Sequence, residues 1–404
     1  RRGARQLMDN NNRPEIRLLP AHGKRLKRGH PWLYSNEIRM DDAARALTPG
    51  ALVEIIGTDG RGLGVAMFNP HSLIAGRLLS REPGADIDHK FIARALSRAL
   101  ALRESLFDAP YYRLAHGEAD GLPGLVVERY DDIALCQINS AGMAALEDEI
   151  IAGVEQVLQP RAIVMRGDSP ARRLEGLDAK THVAKGTLDG PQIVREGGLE
   201  FFADLTHGQK TGWYFDQRDN RSFSASLAGG RRVLDAYCHS GAFGLRAAKA
   251  GATFVTFVDR AEACLDLAAQ AAAHNGLADL CHFAKGDMFS ELARLHGEGE
   301  KFDLVIADPP PFAKSRKDAK VGLKAVRKLT RLASALVAAR GFLAISSCSH
   351  HIGAADFSEA VTRGFRDAGR VARIVRISGA AADHPIHPAL PESAYLTFMM
   401  LAFD

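Results

Sequence analysis

The chain has 404 residues, 46% hydrophobic and 25% charged, which excludes a disordered or membrane-embedded polymer and leaves room for two or three domains, each with its own core. No apolar run approaches the roughly 18 to 20 residues needed to cross a bilayer, and the Arg-rich start has no signal-peptide core behind it. The expectation is a cytoplasmic protein, with the residues before Met8 read as an extension. The net charge of +4 hides a segregation: residues 1–40 hold ten Lys and Arg against three acids, +7 there and −3 over the rest. A second basic run, residues 311–331, sets Lys314, Arg316, Lys317, Lys320, Lys324, Arg327, Lys328 and Arg331 against Asp318. Two such clusters point to a polyanion partner whose binding falls steeply with salt, unless they are merely solvated faces.

Residues 16–80 alternate short apolar runs with Gly, Pro and Asn turns, as in Ala51–Ile56 before Gly57 and Gly62–Phe68 before Asn69, and this predicts a small β-rich module. Apolar residues then recur at helical spacing over about 86–106. Leu125–Glu128 and Ile133–Leu135 predict a hairpin turned around Tyr130, Asp131 and Asp132, followed by a helix over about 142–158 and a strand at Ala162–Met165. From about residue 195 strands and helices alternate. The strands are Arg232–Tyr237, Phe254–Val258, Phe302–Ala307 and Phe342–Ser346; the helices lie near 242–250, 261–275 and 320–338, and a last apolar strand runs from Tyr395 to Phe403. Alternation of this kind gives a mostly parallel sheet covered by helices, with ligands beyond the carboxyl ends of its strands.

The five cysteines, at 136, 238, 264, 281 and 348, match neither CxxC metal pairs nor a disulfide scaffold, so reduced thiols and no metal are expected. The first strand of the alternating region ends in a turn, Asp235-Ala-Tyr237-Cys238-His-Ser240-Gly241-Ala-Phe243, that lacks the glycine fingerprint of dinucleotide sites. A carboxylate with few glycines suits a ligand that has no phosphate and carries positive charge, as S-adenosylmethionine does. Asp259 ends the second strand, where a carboxylate accepts from ribose hydroxyls. Gly286-Asp287-Met288 follows the third strand, placing an acceptor near an adenine amino group and Met288 against the ring. Each acid taken alone is equally a loop carboxylate or a helix cap.

With these motifs on the page, the sequence resembles class I methyltransferases, and more closely the bacterial 23S rRNA cytosine-5 methyltransferase family with an N-terminal PUA domain. The resemblance runs over nearly the whole chain and rests on Gly29-His-Pro-Trp-Leu-Tyr-Ser35, Asp120-Gly-Leu-Pro-Gly-Leu125, Lys210-Thr-Gly-Trp-Tyr-Phe-Asp-Gln-Arg218, Asp308-Pro-Pro-Pro-Phe312 and Ser347-Cys-Ser349. It implies an α/β protein: a PUA-like RNA-binding domain at 14–82, a middle α+β domain at 83–195 and a seven-stranded Rossmann-like methyltransferase domain at 196–404. It also implies S-adenosylmethionine as cofactor, 23S rRNA or a large-subunit precursor as partner, and a homodimer.

The chemistry concentrates after the fourth and fifth strands. Prolines fix φ and donate no N–H, so Asp308, Pro309 and Pro310 present a carboxylate and carbonyls to a flat hydrogen-donating base, while Phe312 stacks on it and Lys314 meets the RNA. Carbon 5 of cytosine is a weak nucleophile, and a Cys348 thiolate adding at carbon 6 activates it. Asp308 in protonated form would bond the N3 and N4 edge, a role that needs a raised pKa. Gln217 and Arg218 are candidates for the cofactor carboxylate, against a structural ion pair. Cys238 reads as packing, His350 and His351 as polar residues at a helix start or modulators of the thiol, and Asp383–Pro388 as a loop, with a border of the substrate as its other reading. Two other readings stay open: methylation of an exocyclic purine amine with Cys348 idle, and an RNA-binding ribosome-assembly factor with a vestigial pocket.

Overall fold

The computed structural model describes residues 13–206, 208, 212–313 and 315–404. The residues before Met8, and Lys210, Thr211 and Lys314 of the motifs above, lie outside them. Two compact units emerge, one from residues up to Gly190 with Leu205–Trp213 and Pro385–Pro391, the other from Pro191–Asp204, Tyr214–His384 and Glu392–Asp404.

In the first unit a five-stranded sheet of Glu15–Arg17, Trp32–Leu33, Ala51–Ile56, Gly62–Phe68 and Gly76–Ser80 closes over Ile16, Leu33, Val53, Ile55 and Phe68. Gly64 is required there: its φ is +129°, and a Cβ would lie 2.0 Å from the Ser80 carbonyl oxygen. A second five-stranded sheet pairs the expected hairpin, Leu125–Tyr130 with Ile133–Ile138, and adds Ala162–Arg166 in parallel. Asp131 takes φ 58° at its turn. The helix His89–Leu106 is capped by Asp88. The helix expected over 142–158 is two helices, Ala141–Ala145 and Glu147–Leu158, broken at Leu146. Gly153 lets the second of them approach Ile92, whose Cγ2 would be 2.8 Å from a Cβ.

The second unit carries the alternating region. Its strands are β1 (Arg232–Ala236), β2 (Phe254–Asp259), β3 (Cys281–Lys285), β4 (Phe302–Ala307), β5 (Val337–Ser347), β6 (Ala372–Ser378) and β7 (Thr397–Phe403), in the order β3-β2-β1-β4-β5-β7-β6. The first five are parallel, and β7 runs antiparallel between β5 and β6. Around them lie α1 (Arg218–Ser226), α2 (Ala242–Lys249), α3 (Glu262–His274), α4 (Met288–Gly297), α5 (Ala319–Leu336) and α6 (Ala354–Asp367). The core strands read as unbroken apolar runs because both faces are covered, and Leu234, Val305, Leu343 and Met399 are buried completely. The order reverses between β1 and β4, which is where ligands collect in open α/β sheets.

Candidate active site

The turn after β1 is built from backbone. Tyr237, His239 and Gly241 take φ values of 62°, 49° and 79°, so three of five consecutive residues adopt the left-handed region that non-glycine residues rarely enter. Two carboxylates hold this shape. Asp235 accepts from the Gly244 N–H at 2.7 Å, and Asp259 accepts from the N–H groups of His239 and Ala261 at 3.0 and 2.9 Å. Gly244 is as constrained as Gly241, since its Cβ would lie 2.2 Å from Cε1 of Phe257. Ser240 is buried, its Oγ 3.1 Å from Nδ1 of His239. Phe243 is also buried, with the Arg221 guanidinium 5.9 Å from its ring centre.

Burial pushes the Asp235 carboxyl up to about 8, helped by the negative charges of Asp308 and Asp259. Tyr237 is raised as well, chiefly by burial and then by the charges of Asp287 and Asp259. Asp287 also caps α4, accepting from the Ser290 N–H at 3.1 Å, and Met288 beneath it belongs to the core. Asp308 and Asp259 act on Asp235, and Asp287 and Asp259 on Tyr237, so three acids put negative charge at the carboxyl end of the sheet. That field and the tight turn suit a cation with hydroxyls, and fit S-adenosylmethionine.

The rim opposite the turn is built from side chains. Asp308 accepts from the Gln217 amide at 2.9 Å and from the hydroxyl of Ser346, and Gln217 also donates to Ser346 at 3.3 Å. Gln217 is buried, and its amide donor is directed at Asp308 and Ser346. At the far end of the proline loop the Ala313 N–H donates to Ser349 Oγ at 3.4 Å. Bonds on both sides of Cys348 therefore tie the Asp308 loop to the end of β5. Pro309 is buried, Pro310 exposed, and Phe312 half-buried with its ring centre 6.2 Å from that of Phe289. Arg218 is half-buried, 5.6 Å from the Phe215 ring centre, and its charge helps Arg221 hold Glu196 ionised.

Cys348 is the partly exposed thiol at this rim. Elsewhere burial pushes thiols out of the reactive range: Cys136 and Cys281 up to about 12, Cys264 to about 11, and Cys238 well above its usual value with Asp235 and Asp259 adding to the effect. Tyr214 joins the two halves of the site. Its ring meets His239 edge-on at 5.0 Å, and its hydroxyl is raised by burial and then by the charges of Asp308 and Cys348.

Further residues gather around His350, two residues past the thiol. Tyr395 donates to Asp216 at 2.6 Å and stacks on His350 with ring centres 5.0 Å apart. Asp383 and His384, expected in a loop, are buried within it and bonded at 2.8 Å. Asp216 and Tyr214 sit inside the Lys210–Arg218 motif, so the signal for them was present. Nothing in the sequence pairs Tyr395 or His384 with Cys348.

An open parallel sheet with its strand order reversed between β1 and β4, and an antiparallel last strand inserted between β5 and β6, has the architecture of a class I methyltransferase. The chain belongs to the S-adenosylmethionine-dependent methyltransferase family, whose model matches residues 146–393, and a PUA-like domain model matches residues 16–81. Among its relatives, ribosomal RNA large subunit methyltransferase I of Shewanella amazonensis is 35% identical over 386 residues, covering 94% of this chain and 97% of that protein. The protein of the same name in Aeromonas hydrophila is 36% identical over 387 residues, with the same coverage. A solved methyltransferase in complex with SAH superposes with a TM-score of 0.82 at 20% identity, covering 96% of this chain and all of its own.

Proposed function

We propose that the protein transfers a methyl group to carbon 5 of a cytosine in large-subunit ribosomal RNA, through a transient bond between that base and Cys348. The observation that carries the reading is the half-exposed Cys348 beside Asp308, with the two loops bonded to each other on either side of it. The name shared by the relatives, ribosomal RNA large subunit methyltransferase I, supports RNA as substrate.

In this reading Asp235, Asp259, Asp287, Met288, Ser240, Gly241 and Phe243 hold S-adenosylmethionine, which would supply an electrophilic methyl on a sulfonium and, with the methyl–sulfur bond broken, leave as S-adenosylhomocysteine. Gln217 and Ser346 orient Asp308, and Asp308 holds the polar edge of the cytosine between the proline loop and Phe312. The Cys348 thiolate forms a bond to carbon 6, and the electron pair of the C5–C6 double bond moves into the ring, making carbon 5 nucleophilic. After carbon 5 carries the methyl group its proton leaves, the double bond reforms, and the carbon–sulfur bond breaks to return the thiolate. Residues 14–82 act as the RNA-binding domain, 83–195 as the connecting domain and 196–404 as the catalytic one. The protein works as a cytoplasmic homodimer, which sedimentation checks.

The test is RNA carrying 5-fluorocytidine at the target, where the proton to be removed is replaced by fluorine. A denaturant-stable complex with the wild type, absent with Cys348→Ala, supports the reading. An unmethylated purine amine in rRNA from a deletion strain, with cytosines unchanged, overturns it.

A further inference from the structure

The face of α5 that looks away from the core has no part in the site described so far. Lys320, Lys324 and Lys328 are exposed and recur every fourth residue, so they form one stripe along the helix with about 6 Å of rise between neighbours. No acid lies on this helix, and Arg327 beside the stripe is already paired with Asp367. Eight residues before Lys320 is Phe312 of the base loop, and the two elements are packed tightly: at Gly322 a Cβ would lie 3.1 Å from that of Ala313.

One lysine of the stripe is held in place. The Lys328 ammonium sits 4.7 Å from the centre of the Phe289 ring, and Phe289 in turn neighbours Phe312 at 6.2 Å. A cation over an aromatic face is attracted by the ring quadrupole even at an exposed site, which restricts an otherwise free side chain before any partner arrives. Aromatic rings and a fixed charge therefore lead from the base pocket onto a row of cations set about one nucleotide apart. Regular spacing of single positive charges suits a regular line of single negative charges, and an extended nucleic acid strand is such a line.

We propose that the Lys320, Lys324 and Lys328 stripe of α5 is the track for the single-stranded RNA flanking the target base, with Phe289 fixing the pocket end of the track through Lys328. The proposal rests on RNA being the substrate, as argued above, and is independent of which base atom is methylated. Stripping the base from its neighbours requires the flanking strand to be held. Phosphate contacts along α5 hold it without reading its sequence.

The experiment measures binding of a fluorescein-labelled single-stranded RNA oligonucleotide to the full chain by anisotropy, between about 50 and 200 mM salt. It is run in parallel with methyl transfer to unmodified 23S rRNA. With each single-strand phosphate contact worth about 0.7 in the slope of log K against log salt, Lys320→Gln, Lys324→Gln and Lys328→Gln together lower the slope by about 2. They also raise KM at least tenfold and leave kcat at saturating RNA unchanged. Phe289→Leu raises KM by a few-fold, because Lys328 loses its platform. Lys249→Gln, an exposed lysine of α2, changes neither quantity. Unchanged melting temperature and SAH binding show that the variants are folded. A triple variant with the wild-type slope overturns the track while leaving RNA as substrate intact. A duplex that competes as well as the single strand overturns its single-strand character. A wild type that binds no RNA at all overturns both this proposal and the reading beneath it.

Discussion

The two halves of the site are held by different means. The turn after β1 is fixed by main chain: left-handed residues at Tyr237, His239 and Gly241, and carboxylates of Asp235 and Asp259 that accept from backbone N–H groups. The rim around Cys348 is fixed by side chains, through Gln217, Ser346 and Asp308 at one end and Ser349 at the other. A main-chain cradle is inseparable from the fold, whereas a side-chain lattice can be altered with the fold intact. Changes at the turn should therefore cost stability together with cofactor affinity, and changes at the rim should cost rate alone.

The sharpest break of that comparison is Cys348→Ala, which should lower methyl transfer by about a thousandfold or more with an unchanged melting temperature. Residual turnover near the wild-type rate would remove the thiol from the reaction. Next comes Gln217→Ala, which should slow transfer by about 10- to 100-fold, the size seen when a group orienting a reacting residue is lost. SAH affinity measured by calorimetry should stay constant, and a parallel fall in affinity would place Gln217 on the cofactor instead.

At the turn, Gly244→Ala drives a methyl group against Phe257, which is fully buried and stacked on Phe283 at 4.8 Å. Denaturant unfolding should show a loss of about 1–3 kcal/mol, with weaker SAH binding alongside.

A further prediction concerns pH dependence. Asp235 keeps its proton in the folded protein up to about pH 8, while its ordinary value is 3.8. Between these values the unfolded chain binds fewer protons than the native one, so stability falls as pH rises through this window and levels off above it. Asp235→Asn should flatten that slope in melting temperature against pH, and an unchanged slope would assign it to other groups.

The alternation of strand and helix after residue 195 was legible because buried parallel strands are apolar throughout and are punctuated by turns carrying acids. The strand-end acids were legible for the same reason: β1 and β2 end where Asp235 and Asp259 stand. Cys348 was singled out by its place after β5 and by the Ser347-Cys-Ser349 motif that carries the resemblance. The break at Leu146 was not, since its apolar side chain continues the helical period. The tie between Tyr395 and Asp216 was equally hidden, because the two are 179 residues apart and meet through a hydrogen bond. Gln217 was assigned to the cofactor from its motif, yet its amide is directed at Asp308, a partner 91 residues away.

The place of β7 bears on when activity can arise. It lies inside the sheet, antiparallel between β5 and β6, so a chain emerging from the ribosome leaves β5, and with it the segment leading to Cys348, lacking one neighbour until residues 397–403 appear. Tyr395 and its tie to Asp216 arrive at the same late moment. The rim that carries Cys348 is thereby completed only when β7 has taken its place between β5 and β6.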